Sequence, residues 1–191
     1  MNPDYKARLW LVIAINGIMF LTEIVAGAVA KSQALQADAL DFLADTLTYG
    51  ISLAVIGMPL KTRATAALLK GFSLTLMAAW VFGSTIYHVF VLHVPAAPIM
   101  ATVGIAAFIA NLASVLLLVK YKDGDANVRS VWLCSRNDMI GNVIVVAAAF
   151  GVWGTNTAWP DLIVAGLMAG LFLTSSVKII GQALQERKSA S

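Results

Sequence analysis

The sequence predicts an all-α membrane protein, a bundle of six transmembrane helices with both chain termini on the cytoplasmic face. Composition is the first ground: of 191 residues, 60% are hydrophobic and 12% charged, with a mean hydropathy of +0.83. Soluble domains carry about 25% charged residues, and a water-soluble fold of this composition would present a large aggregation-prone apolar surface. The second ground is segmentation into runs of the length a bilayer demands, roughly 20 apolar residues for a core about 30 Å thick. The third is a one-sided distribution of lysine and arginine.

The first run extends from Leu9 to Val29. It follows Lys6 and Arg8 as a signal peptide would, but it is too long for a signal h-region and contains Glu23. The next runs are Ala34 to Met58, Ala64 to Val89, Pro98 to Val119, Val131 to Trp153 and Asp161 to Ile180. Between them lie Lys31-Ser32-Gln33, Pro59 to Arg63, His93 to Pro98, Lys120 to Ser130 and Gly154 to Pro160, all rich in loop-forming residues. Trp153 and Trp159 flank the last of these, as an interfacial aromatic belt requires. Residues 1–180 thus form one transmembrane domain, and 181–191 a short cytoplasmic tail.

Lys6 and Arg8, Lys61 and Arg63, Lys120, Lys122 and Arg129, and Lys178, Arg187 and Lys188 fall on one side, Lys31 alone on the other. The positive-inside rule puts the first group, and both termini, in the cytoplasm. The net charge of +3 is therefore a topology signal. A nucleic-acid partner would call for a basic patch on a soluble surface, which the pattern lacks. The single cysteine, Cys134, excludes an intrachain disulfide. Gly166 and Gly170 make a small-xxx-small pattern in the sixth helix, suited to packing within the bundle or to a dimer seam.

A carboxylate at the bilayer centre costs about 2.5 to 3.5 kcal/mol, so each demands a reason. The second helix has three, Asp38, Asp41 and Asp45. Asp41 and Asp45, at i,i+4, stack on one face, and Asp38 continues the stripe. Like charges so placed repel strongly in a low dielectric; either some are protonated or a cation sits among them. The fifth helix repeats the spacing with Cys134 and Asp138, and Asn142 extends that face by a turn. If helices two and five touch, Asp41, Asp45, Cys134 and Asp138 supply four oxygen and sulfur ligands, compatible with tetrahedral Zn²⁺. A thiolate would also favour softer ions such as Cd²⁺ over Mg²⁺ or Ca²⁺. Cys134 can equally be a small packing residue. Glu23, Asn16 and Asn111 are further polar candidates for lining the path, moving protons or tying helices together. Arg136, near the inner end of helix five, can snorkel or neutralise an acid. His88 and His93 read as solvated residues near the outer ends of helices three and four, and Asp161 after Pro160 as first-turn helix chemistry.

These motifs resemble the cation diffusion facilitator family over nearly the whole chain. Glu23-Ile24-Val25-Ala26-Gly27 is similar to its Glu-hydrophobic-Gly segment, and Ser32 to Ala39 to its Ser-x-Ala-Leu-x-Ala-Asp-Ala entry to helix two. Asp41 and Asp45 fall on its helix-two metal pair, Cys134 and Asp138 on a helix-five pair that is usually His-x-x-x-Asp. The resemblance implies a secondary transporter, usually a homodimer, that exports Zn²⁺ or a related ion such as Cd²⁺ or Co²⁺ from the cytoplasm by proton antiport. It implies no resident cofactor and a multi-pass location in a cell membrane, in a bacterium the inner one. Cys134 in place of His bears on metal preference, and the family's C-terminal cytoplasmic domain is expected to be missing. Alternating access around the four ligands, with protons competing for them, would account for antiport; Asp38, Asn142, Glu23 and Asn137 would stand beside the ligands or share the proton load.

One rival is a non-transporting membrane metal-binding protein or a subunit of a hetero-oligomeric transporter, which flux through the purified chain would discriminate. An enzyme is not expected, since no nucleophile–base pair, HExxH motif or phosphate loop is present.

Overall fold

The computed structural model describes residues 3–55, 58–91, 93–123 and 126–189. Six long helices follow one another: α1 (Pro3–Ala30), α2 (Gln33–Ala54), α3 (Leu60–Val91), α4 (Ala97–Leu118), α5 (Ala126–Thr155) and α6 (Trp159–Ser189). A short 3-10 turn, Val119–Tyr121, closes α4. Among the described residues there is no strand. Five of the helices, all but α2, are long and apolar enough to cross a membrane. The exception carries Asp38, Asp41 and Asp45 within its 22 residues, so the helix that looks least like a span is the one that bears the acidic stripe.

The outside is apolar and the inside partly polar, as a lipid solvent dictates. Ile18, Leu21, Val25 and Val29 form an exposed ridge on α1, and Leu69, Phe72, Leu76 and Trp80 another on α3. Asn16, Glu23, Asp38, Asn111, Ser135, Asn142 and Ser176 are buried.

Short connectors reverse the chain, so that α1–α2, α3–α4 and α5–α6 turn at one end of the bundle, here the connector end. The α1–α2 turn is a Schellman motif: Lys31 adopts φ 54°, and the amides of Lys31 and Ser32 return to the carbonyls of Ala28 (3.3 Å) and Gly27 (3.0 Å). Asn156, at φ 51°, ends α5 in the same left-handed way. The Ala96 amide donates to the Ala30 carbonyl (2.9 Å), joining the α3–α4 turn to the α1–α2 turn. At the opposite end, which carries the termini, Arg8 donates to the Leu117 carbonyl (3.0 Å) and pairs with Asp4, and Tyr5 meets Tyr121 edge to face.

α3 packs most extensively on α6, α4 on α5 and α1 on α2, whereas α2 and α5 touch over a short stretch. The α3–α6 seam closes on Gly71: a Cβ there would lie 2.4 Å from Ile180 Cγ1. Ser176 Oγ donates to the Gly71 carbonyl (2.9 Å) and lies 2.5 Å from Thr75 Oγ1.

The helices depart from the expected boundaries in instructive ways. α2 stops at Ala54 rather than Met58. α6 runs through Ser189, past the expected end of the sixth span at Ile180, so residues 181–189 are helical. The Gly166–Gly170 pattern does not serve packing among the described residues: nothing there lies within 4 Å of a Cβ built at either. Close approach is found at Gly71, Gly27, Gly104 and Gly151 instead. The side chain of Arg129, one of the basic residues used for topology, lies outside the described residues.

Candidate metal site

The acidic stripe of α2 descends into the bundle from the connector end. At about 1.5 Å per residue, Asp41 and Asp45 are separated by about 6 Å along the axis. Asp38 is 2% exposed, while Asp41 and Asp45 are half-buried. One turn further, the buried Tyr49 donates its hydroxyl to Asp45 Oδ2, which fixes the orientation of that carboxyl.

On α5 the half-buried Asp138 faces both Asp41 and Asp45 across the short α2–α5 contact. Cys134, one turn before it, is exposed and lies within electrostatic range of Asp41 and Asp45. One turn beyond, Asn142 is fully buried, and neither atom of its amide has a hydrogen-bond partner among the described residues. Asn137 points elsewhere: it is exposed and receives a long hydrogen bond (3.4 Å) from Arg136.

Glu23 of α1 faces Asp38. Both Glu23 oxygens and Asp38 Oδ2 are buried and unpartnered among the described residues. An unsatisfied buried polar atom costs about 1 to 3 kcal/mol, so this group is unlike ordinary helix-packing polar residues. The arrangement is nevertheless not a closed cage: among the described residues, no three of His, Cys, Asp and Glu are grouped tightly enough to hold a metal ion.

Other candidates have neighbours of their own. Asn16 donates to the Val12 carbonyl of its own helix (2.8 Å). His88 lies in the last turns of α3, half-buried, with Nδ1 2.8 Å from the Ser84 carbonyl oxygen, and His93 is exposed. Arg136 is exposed, its guanidinium 5.4 Å from the centre of the Trp132 ring. Among the described residues its partners, Asn137 and Trp132, are not acids. The basic group near the acids is Lys70 of α3, within electrostatic range of Asp45 and Cys134. Neither Lys70 nor Tyr49 stood out in the sequence. Tyr49 could have been found from its i+4 spacing to Asp45; Lys70 carries no local signal.

Asp161 proves to be more than a first-turn residue. It is 1% exposed and caps another helix: its Oδ1 accepts from Ser32 Oγ (2.6 Å) and the Ala34 amide (3.1 Å), its Oδ2 from the Gln33 amide (2.8 Å). Ser32 Oγ in turn accepts from the Leu35 amide (3.0 Å). The start of α2, and with it the acidic stripe, is thus fastened to the start of α6.

The family model described as the cation efflux transmembrane domain matches residues 9–186. The chain belongs to the cation efflux family. That family consists of transporters and not enzymes. The chain is 28% identical over 180 residues to the metal cation efflux system protein CzcD of Cupriavidus metallidurans, an alignment covering 87% of this chain and 57% of that protein. It is 26% identical over 192 residues to the zinc transporter ZitB of Pectobacterium atrosepticum, covering 94% of this chain and 60% of that protein. The chain therefore spans somewhat more than half the length of these curated relatives. Its apolar helices and its family make it a multi-pass integral membrane protein.

Proposed function

We propose that this chain exports a divalent metal ion, Zn²⁺ or a related ion such as Cd²⁺ or Co²⁺, from the cytoplasm in exchange for protons. The observation that carries this reading is the facing of Asp138 on α5 with Asp41 and Asp45 on α2, inside a bundle of cation efflux type. Carboxylates from two helices can share one cation, and Cys134 adds a softer ligand from the exposed side. CzcD and ZitB are named for metal cation and zinc transport, which favours a divalent cargo here.

In this reading α2 is a sixth span despite its acids, and the end of the bundle that carries the termini faces the cytoplasm. Metal binds the deprotonated ligands from that side. Protons arriving from the other side compete for the same oxygens and release it, because only deprotonated ligands coordinate well. Glu23 and Asp38, buried toward the connector end, take part in that exchange. The working unit is a homodimer in the lipid bilayer.

The test is flux through the purified chain in proteoliposomes under an imposed pH gradient. Wild type should move Zn²⁺ or Cd²⁺ with counterflow of protons, and Asp45→Ala should not. Unchanged flux in Asp45→Ala would remove the proposed site; metal binding without flux in wild type would favour a non-transporting metal-binding protein or a subunit of a larger transporter.

A further inference from the structure

The basic side chains divide sharply by burial. Every lysine and arginine whose side chain is described is exposed, except Arg8 and Lys70. Arg8 sits at the end that carries the termini, engaged by Asp4 and the Leu117 carbonyl. Lys70 is different. It lies within the apolar stretch Lys61–Val91, about 15 Å along the axis from the start of α3. Lys61 and Arg63, in the first turn of that helix, already reach solvent, so a basic residue two turns deeper is not needed to anchor it at an interface.

Lys70 stands on the face of α3 that turns toward α2. With Ser73 and Met77 it lines one wall of a cavity of about 120 Å³, and Ala44, Thr48 and Ile51 of α2 line the other. Ala44 and Thr48 flank Asp45 along α2. The Lys70 ammonium is within electrostatic range of Asp45 and of Cys134, the two members of the proposed ligand set that lie farthest along their helices toward the termini end. The four-carbon stem of Lys70 is flexible.

We propose that Lys70 is a tethered counter-cation of the Asp41–Asp45–Cys134–Asp138 site, which competes with the incoming divalent ion for Asp45 and so sets how weakly the site holds its cargo. The inference rests on the transport reading above. A tethered positive charge beside an acidic site stabilises the site without metal and repels a bound dication. A carrier must release what it binds, and an ammonium that moves back toward Asp45 as the dication departs shortens the time the cargo is held. Lys70 acts through its standing charge and is a positioning residue, with no place in the coordination sphere.

The experiment compares wild type, Lys70→Met and Lys70→Arg as full chains in lipid nanodiscs, by calorimetric titration with Cd²⁺ and Zn²⁺, and in proteoliposomes by initial flux. Lys70→Met, which keeps the stem and loses the charge, should bind the ion about 10-fold more tightly, with KM and kcat falling together. Lys70→Arg should stay within about 3-fold of wild type, since it preserves the charge. A purely structural lysine would not yield tighter binding on removal. Binding by Lys70→Met that is unchanged or weaker overturns the proposal; should that variant not fold, Lys70→Gln carries the same expectation. Asp45→Asn, titrated in parallel, separates the two failures. If it loses binding while Lys70→Met matches wild type, Lys70 has no part in a real site; if it too binds as wild type does, the site itself is misplaced.

Discussion

Two buried aspartates, both close to the α1–α2 turn in sequence or space, show opposite chemistry. Asp161 is almost completely enclosed, and both of its oxygens are used: a hydroxyl and two amides at the start of α2 donate to it. Asp38, six residues beyond Ser32 on that same helix, is equally enclosed, yet its Oδ2 has no hydrogen-bond partner among the described residues, and neither has either oxygen of Glu23 facing it. The orphan donors of a helix N-terminus and the partial positive charge there suit a carboxylate, so Asp161 is a staple. Among the described residues no amide or hydroxyl serves Glu23 or Asp38 Oδ2 in this way, and the two acids face one another instead. Burial therefore does not separate an acid that staples the fold from one proposed to take part in the exchange; the accounting of each oxygen does.

The widest contrast is expected from paired substitutions in the two regions. Asp138→Asn should lower metal flux by about 100-fold or more, given that even outer-shell changes at metal sites cost 10- to 100-fold, while the melting temperature in detergent holds or rises as one of several mutually repelling acids is removed. Asp161→Ala should do the reverse. It strands Ser32 Oγ and two amides at a buried helix start, and should cost about 3 kcal/mol of stability, seen as a lowered thermal midpoint, with flux per folded molecule retained. If Asp161→Ala instead abolishes flux in well-folded protein, the staple is part of the transport machinery and the comparison breaks.

A smaller contrast tests packing. Gly71→Ala places a methyl group against Ile180 and should cost about 1 to 3 kcal/mol by overpacking. Gly170→Ala meets nothing within 4 Å and should leave thermal stability in detergent unchanged or slightly raised. The smallest effect is expected at Tyr49. Tyr49→Phe removes the hydroxyl that orients Asp45, worth about 0.5 to 1.5 kcal/mol, and should appear as a roughly 3- to 10-fold rise in KM for metal with little change in kcat.

Much was legible from local pattern. The helices follow from runs of apolar residues, and the pairs Asp41–Asp45 and Cys134–Asp138 from i,i+4 spacing. The Schellman turn was not, because Lys31 rather than glycine takes the left-handed position. Nor were the helix extensions at the termini end, where polar residues such as Gln185 and Glu186 remain helical but carry no apolar signal. The small-residue pattern at Gly166 and Gly170 left two uses open, packing within the bundle and a dimer seam; among the described residues nothing lies within 4 Å of a Cβ at either, which removes the first.

By itself, then, the sequence determined the solvent this chain folds in, the number of long helices and the acidic faces on α2 and α5, because hydropathy and a 3.6-residue period are properties of neighbours along the chain. Only the tertiary structure decided that Asp138 faces Asp41 and Asp45, that Asp161 caps α2 from 128 residues away, and that Lys70 rather than Arg136 stands beside the acids. Those outcomes depend on which helices touch and at what depth, and across a bundle the partner of a charge is chosen by packing, not by spacing in the sequence.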